Sequence, residues 1–411
     1  MAIMKKALVY YLYGTRNAGD MAICVGTIEV LRKKGFDITM VSRFSESEEE
    51  YFISKAYINK YFPDVKVVPG PFSFERDYSA AQKLAAYGKS FAKVCGLAAD
   101  RVTKSLIKDA DVVFFNGGNL LRGESAKDYL RLMALFYPVQ EAYKAGKPVY
   151  CLPQSTAGIS RIGKNLLQRY LKCFSRIYIR ENRSLSVLRE QFPEYRFDYC
   201  IDMAFFSEDT ELAASSAKEK YAERFADSAG SAIADNAERS EHGNIALVFR
   251  NTGIGDIGRI SSDLEEKMFD ALRAYVQSNP EKEFWITVQT LKDREISEKF
   301  LNSVCGDARV HLIEDHDPLM LREVYKQMDA VITNRLHAGI LALSSLVPVA
   351  GVFCSEWGLK NPGIMEVFGM PYLMADQEDV DVGKLIDKIP ADASVRIADT
   401  IDNFRDVLKF D

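Results

Sequence analysis

The chain has 411 residues, 47% hydrophobic and 27% charged, the balance of a folded globular protein with room for two domains of roughly 150–200 residues each. A formal net charge of -5 excludes bulk attraction to nucleic acid, so an anionic ligand has to be held by a local cluster of Lys and Arg. The seven cysteines are scattered, with no CxxC pair and no His at metal-ligand spacing, which argues for reduced structural thiols and against zinc or disulfides.

The opening residues run straight into a strand-like segment with no long apolar leader. No stretch reaches the ~18 apolar residues of a membrane span, and the expectation is a cytoplasmic protein. Strand-like runs follow at 7–12, 38–42, 65–68, 112–115, 149–152, 177–179 and 197–201. Helical patterns fall between most of them, at 21–34, 46–60, 126–145, 164–174 and 184–191. Beyond residue 243 the alternation resumes. Strands are expected at 245–249, 284–289, 310–313, 330–333 and 348–353, and helices at 262–278, 294–304, 318–328, 337–345 and 380–389. Strand–helix alternation predicts a parallel sheet covered on both faces. Two such runs predict two Rossmann-like doubly wound domains that bind ligand beyond the carboxyl ends of their strands, in a cleft between the domains. The expected boundaries are an N-terminal domain at 1–206, a C-terminal domain at 244–395 and a C-terminal helix at 396–411. Residues 207–243, rich in Ala, Ser, Glu, Asp and Lys, read as a connector or insertion.

Residues 329–351, DAVITNRLHAGILALSSLVPVAG, read as a buried strand turning into a helix, with Arg335, Leu336 and His337 at the turn. A helix start offers unpaired N–H groups and a positive dipole end. Arg335 adds a two-pronged cation for a carboxylate or phosphate, and His337 can donate to the same anion or move a proton near neutral pH. The plainer alternative is an Arg paired with a structural carboxylate and a His capping the helix. Residues 12–26, LYGTRNAGDMAICVG, fail the G-x-G-x-x-G fingerprint. Asp20 there is either the N-cap of the first helix or a carboxylate that acts as base toward a hydroxyl substrate. Residues 114–123, FFNGGNLLRG, follow a strand. Gly117 and Gly118 permit close backbone approach to a ligand, and Asn116 and Asn119 offer amide hydrogen bonds. Arg250 and Arg180 end buried strands, and Lys360 follows another, so each is a candidate cation for the site. From 151 to 180 there is no acidic residue, yet Arg161, Lys164, Arg169, Lys172, Arg176 and Arg180 are present. That stretch reads as a packed helix with a basic outer face, or as a surface for anionic membrane.

Together these segments resemble the polysaccharide pyruvyl transferase family. The matching pieces are GTRNAGDMAI, FFNGGNLL, YIRENRSLSVL, CIDMAF, VITNRLHAGILALSSLVPVAGV and EWGLKNPGIMEVFG, in the family's order from about residue 8 to residue 370. One departure is Asn116-Gly-Gly-Asn where an unbroken triple Gly is usual. The resemblance implies a glycosyltransferase-B-like pair of Rossmann domains and a transferase that uses phosphoenolpyruvate as co-substrate; the sequence shows no evident cluster of metal ligands, and neither a metal nor another cofactor is expected. The resemblance also implies a pyruvate ketal across two hydroxyls of a sugar, in a surface polysaccharide or its lipid-linked precursor, with phosphate released. The donor would meet Arg335, Leu336, His337, Arg250, Lys360 and Arg180. The acceptor would meet Asn17, Asp20, Asn116, Gly117, Gly118 and Asn119. His337, Arg335 and Asp20 would carry the chemistry; peripheral contact with the inner membrane surface is the expectation that the basic stretch adds. The alternative on the same scaffold is a nucleotide-sugar-dependent glycosyltransferase, because a helix start with Arg and Lys suits a diphosphate as well.

Overall fold

Strand β1 (Lys5–Leu12) reads KKALVYYL, two exposed lysines followed by six buried residues, and it is the spine of the first sheet. A computed structural model describes residues 4–72, 79–226, 243–251, 260–358 and 360–410. From β1 the chain runs through α1 (Ala18–Lys33), β2 (Phe36–Ser42), α2 (Glu49–Tyr61), β3 (Lys66–Val68), α3 (Ala80–Val94), α4 (Arg101–Asp109) and β4 (Val112–Phe115). It continues through β5 (Gly118–Gly123), α5 (Ala126–Lys144), β6 (Val149–Ile159), α6 (Arg161–Leu171), β7 (Arg176–Ile179), α7 (Asn182–Gln191) and β8 (Phe197–Tyr199). These strands form a parallel sheet in the order β3-β2-β1-β4-β6-β7-β8, with β5 on β6. Its core includes Val113, Phe115, Phe136, Val149 and Cys151.

The second run is α8 (Glu211–Ala226), β9 (Asn244–Val248), α9 (Ser262–Gln277), β10 (Glu283–Val288), α10 (Arg294–Ser303), β11 (Val310–Glu314), α11 (Pro318–Tyr325) and β12 (Ala330–Thr333). After it come α12 (Leu336–Ser344), β13 (Val349–Phe353), α13 (Lys360–Phe368), β14 (Tyr372–Met374), α14 (Val382–Ile386) and α15 (Ala393–Arg405). The second sheet is also parallel, in the order β11-β10-β9-β12-β13-β14, around a core that includes Leu247, Phe269, Phe284 and Ile332. Each sheet winds outward from its first strand and then reverses. The reversal lies between β1 and β4 in one and between β9 and β12 in the other, and in doubly wound sheets that switch point is where ligands bind.

Two compact units result: Met1–Thr15, Ile23–Phe206 and Val407–Asp411 make the first, and Arg16–Ala22 with Ser207–Asp406 the second. Within the expected connector or insertion, the described residues 207–226 hold a helix. Glu211–Ala226 is helix α8, which packs on α11, because Asp315 accepts hydrogen bonds from both Lys220 Nζ (2.8 Å) and Tyr221 Oη (2.6 Å). Residues 227–242 lie outside the described residues. The helix expected at 396–411 instead runs Ala393–Arg405 within the second unit. Strand β5 and helix α13 escape sequence patterning, since Gly118 and Gly123 bound the one and Pro362 with Gly363 sits in the other. No disulfide joins the seven cysteines; five are buried, and Cys95 and Cys305 are exposed. Among the described residues no helix is long and apolar enough to cross a membrane.

Candidate functional site

In the second unit, β9 and β12 are neighbours with Val248 paired to Thr333. Arg250 and Arg335 therefore stand two residues past the ends of adjacent strands, at the switch point. Thr333 Oγ1 accepts the Arg335 N–H at 2.9 Å, and α12 begins at the next residue with no side chain capping it. The Arg335 guanidinium forks onto Asp293: Nε donates to Oδ2 and Nη2 to Oδ1, the latter at 2.7 Å. Asp293 is 1% exposed and the Arg335 side chain 20%, so the carboxylate is sealed and the cation is not. Arg250 lies over the Trp357 ring, 5.8 Å from its centroid. Burial and then the adjacent Arg335 push the Arg250 guanidinium down to about 10, with Asp293 opposing. It keeps its charge at neutral pH. The buried Asn361 donates through Nδ2 to the Asn334 carbonyl at 3.3 Å, which ties the start of α13 to the β12–α12 turn. Lys360, the first residue of α13, is carried there with it.

The early glycine turn belongs to this unit as well. Asn17 forms an antiparallel bridge with Thr290, and the Ala18 N–H donates to the Gln289 carbonyl at 3.2 Å. Helix α1 starts at Ala18, and Asn17 Oδ1 takes the Gly19 N–H at 3.1 Å. Asp20 therefore sits inside the first turn and is not the N-cap, a correction that follows from the turn closing three residues earlier than the apolar pattern suggests. A Cβ on Gly19 would collide with Cβ, Cγ and Nδ1 of His337. The glycine is the floor on which the histidine ring rests. Two site residues went unnoticed in the sequence: Asp293, and Gln289, which is fully buried with neither amide atom partnered among the described residues. Both follow β10, and the strand-end signal that singled out Arg250 and Arg180 applies to Gln289 too. Asp293 lies too far beyond its strand for that signal.

The first unit treats its candidates differently. Asn116 is 0% exposed and its amide is spent: Nδ2 donates to the Tyr11 carbonyl at 3.0 Å, and Oδ1 accepts from Thr27 Oγ1 (2.8 Å) and from the Gly117 N–H (2.9 Å). It braces the end of β4 and has nothing left for an acceptor. Gly117 is buried against the Pro153 carbonyl, and Gly118 takes a φ of 149°, a conformation suited to glycine, as the chain enters β5. Asn119 is half-buried, and its Oδ1 meets no partner among the described residues. Arg180, expected at the donor, is 4% exposed, with Nε donating to Ser155 Oγ at 2.6 Å and Nη1 to Asp202 at 2.5 Å. It is a buried ion pair of the first unit. Among the described residues no three of His, Cys, Asp and Glu gather where a metal ion could be held.

The sequence pattern of the polysaccharide pyruvyl transferase family matches residues 17–353, a span that runs from the Asn17 turn through Arg250, Arg335 and His337 to β13. The chain belongs to that family. Comparison with curated proteins gave no match. Among solved structures, this pyruvyl transferase family member is similar to a UDP-GlcNAc 2-epimerase from Methanocaldococcus jannaschii, with a TM-score of 0.55 at 13% identity over 93% of this chain and 92% of that one. It is similar to the UDP-GlcNAc 2-epimerase of Neisseria meningitidis, determined bound to UDP-GlcNAc, with a TM-score of 0.54 at 12% identity over 98% and 94%. A glycosyltransferase from Rickettsia africae gives a TM-score of 0.51 at 11% identity over 98% and 94%. At such identities the likeness is one of fold, two parallel-sheet α/β domains of the glycosyltransferase-B type.

Proposed function

We propose that the protein transfers pyruvate from phosphoenolpyruvate to a sugar, forming a ketal across two hydroxyls of a surface polysaccharide or its lipid-linked precursor. The observation that carries this reading is the pair of guanidiniums, Arg250 and Arg335, at the switch point beside the uncapped start of α12. Phosphoenolpyruvate puts a carboxylate and a phosphate on one small frame, and such a ligand needs several fixed cations and N–H donors. The outer edge of Arg335, Arg250, Lys360 and the N–H groups of α12 supply them.

In the first step a proton is added to the methylene carbon and C2 becomes electrophilic; a sugar hydroxyl then adds there and gives up its proton. In the second step another hydroxyl attacks C2, the bond to phosphate breaks, and the ketal closes. One hydroxyl proton balances the new methyl group and the other leaves with phosphate. His337, held over Gly19, is the proton donor on the phosphate side and Asp20 the base; such groups contribute about 10²–10⁴-fold, and the cations stabilise the departing phosphate. On the acceptor side Asn17, beside Asp20 in the same unit, remains as a contact. Arg180, spent on Asp202, takes no part.

A nucleotide-sugar glycosyltransferase would use the same cations for a diphosphate. The two readings part on ligand. Phosphoenolpyruvate at 100 times its dissociation constant is expected to stabilise the protein by about 2.7 kcal/mol, a rise of several degrees in melting temperature, with UDP giving none. Phosphate release from phosphoenolpyruvate in the presence of lipid-linked or nucleotide-linked sugars is the activity assay. Stabilisation by UDP alone, without phosphate release, would transfer the chain to the second reading.

A further inference from the structure

We infer that Asp293 is a positioning residue that aims Arg335 at the donor anion. The inference takes the identity of the anion from the pyruvyl-transfer reading, and its geometry from the structure alone. A guanidinium carries five N–H groups in one plane. Asp293 takes the Nε–H and one N–H of Nη2, which is the side edge. The end edge, shared by Nη1 and Nη2, is left pointing away from the buried carboxylate, and a two-oxygen anion fits that edge as a second fork.

Asp293 can serve as a fixed anchor because its own position is over-determined. It closes a short 3-10 turn (Leu291–Asp293), its N–H donates to the Thr290 carbonyl at 2.9 Å, and its carbonyl accepts from Ser297 Oγ at 2.8 Å. Its Oδ1 also accepts the Asn251 N–H at 3.0 Å. The anchor thus links the end of β10, the segment after β9 and the β12–α12 turn, all within the second unit. It has an electrostatic role too. Arg335 pushes the Arg250 guanidinium down, and the Asp293 carboxylate opposes that repulsion, so two cations can share one small site before any anion arrives. Two guanidiniums and one carboxylate leave a single net positive charge facing the ligand.

The test is a double-mutant cycle read in affinity, with phosphoenolpyruvate and, separately, inorganic phosphate as probes. Asp293→Asn is expected to weaken donor binding and raise KM roughly 10- to 100-fold through misplacement of the fork, with a smaller change in kcat. In an Arg335→Ala background the same change should shift affinity by less than about twofold, because Asp293 acts only through Arg335. If Arg335→Ala does not fold, Arg335→Lys takes its place, since an ammonium cannot hold both edges. Asp293→Glu keeps the charge and pushes the guanidinium out by about one methylene; it should melt near the parent yet bind weakly. An equal loss of affinity with and without Arg335, or a fall in melting temperature with KM unchanged, overturns the inference. A parent that binds phosphate but not phosphoenolpyruvate overturns the donor assignment instead, and the phosphate cycle then decides Asp293. A parent that binds neither overturns both.

Discussion

Arginine at a strand end is one signal in sequence and two different things in the folded protein. Arg180 and Arg335 both stand just past buried strands, yet the first is 4% exposed and the second 20%. Removing one partner of a buried pair such as Arg180–Asp202 costs about 3–5 kcal/mol, which marks it as a residue of the fold. Arg335 is sealed on one edge only, so it can serve fold and ligand together. The most specific residue-scale prediction concerns His337. An alanine at Gly19 would need the space that the His337 ring fills, so the ring has to move. Gly19→Ala should lower kcat about 10- to 100-fold, as a displacement near 1 Å does at a reacting centre, while KM for phosphoenolpyruvate changes less than threefold or so. Steady-state kinetics with the donor varied decides it. An unchanged kcat would remove His337 from the chemistry.

Helix α6 shows what packing does to an amphipathic pattern. Its apolar residues Leu167, Tyr170 and Leu171 are buried in the first core, and Arg161, Arg169 and Lys172 remain on the surface with Ile162. With the apolar face already committed, contact with a membrane would rest on charge, at about 1 kcal/mol per basic residue near an anionic surface. Our expectation is that the protein sediments with anionic vesicles at low salt and is released as salt shortens the Debye length to roughly 3 Å. Reversal of Lys164, Arg169 and Lys172 to Glu should weaken that binding at least ~100-fold. A parent protein that stays in the supernatant, or a reversed one that still sediments, ends the proposal. Helix α8 makes the complementary point. Its composition resembles a solvated linker, but Tyr221 and Lys220 converge on the mostly buried Asp315 and fasten it to the second unit.

At the scale of the molecule, each unit has its own sheet and core, and the candidate donor groups belong to one of them. Arg16–Ala22 and Ser207–Asp406 together hold Asn17, Gly19, Arg250, Asp293, Arg335, His337 and Lys360. Saturating phosphoenolpyruvate should therefore slow backbone hydrogen exchange about 100-fold at residues 334–339 and 16–22 and leave 116–119 as they were. Exchange read by mass spectrometry settles this, and protection confined to 116–119 would put the donor in the wrong unit. Most of the architecture was legible beforehand because periodicity is local: β-branched runs such as 284–289 and helical patterns such as 262–278 announce themselves within a single element. The Arg-Leu-His turn was legible for the same reason, since strand, turn and helix are contiguous. By itself the sequence determined two parallel-sheet domains, the family, and Arg335 with His337 at a helix start. Tertiary structure alone decided which candidates are available to a ligand. Asn116 is exhausted by Tyr11 and Thr27, Arg180 by Asp202, Arg335 is held by an aspartate 42 residues away, and Gly19 is required by a histidine from the far half of the chain. Those facts depend on which side chains meet across strands, and a one-dimensional pattern carries no record of such meetings.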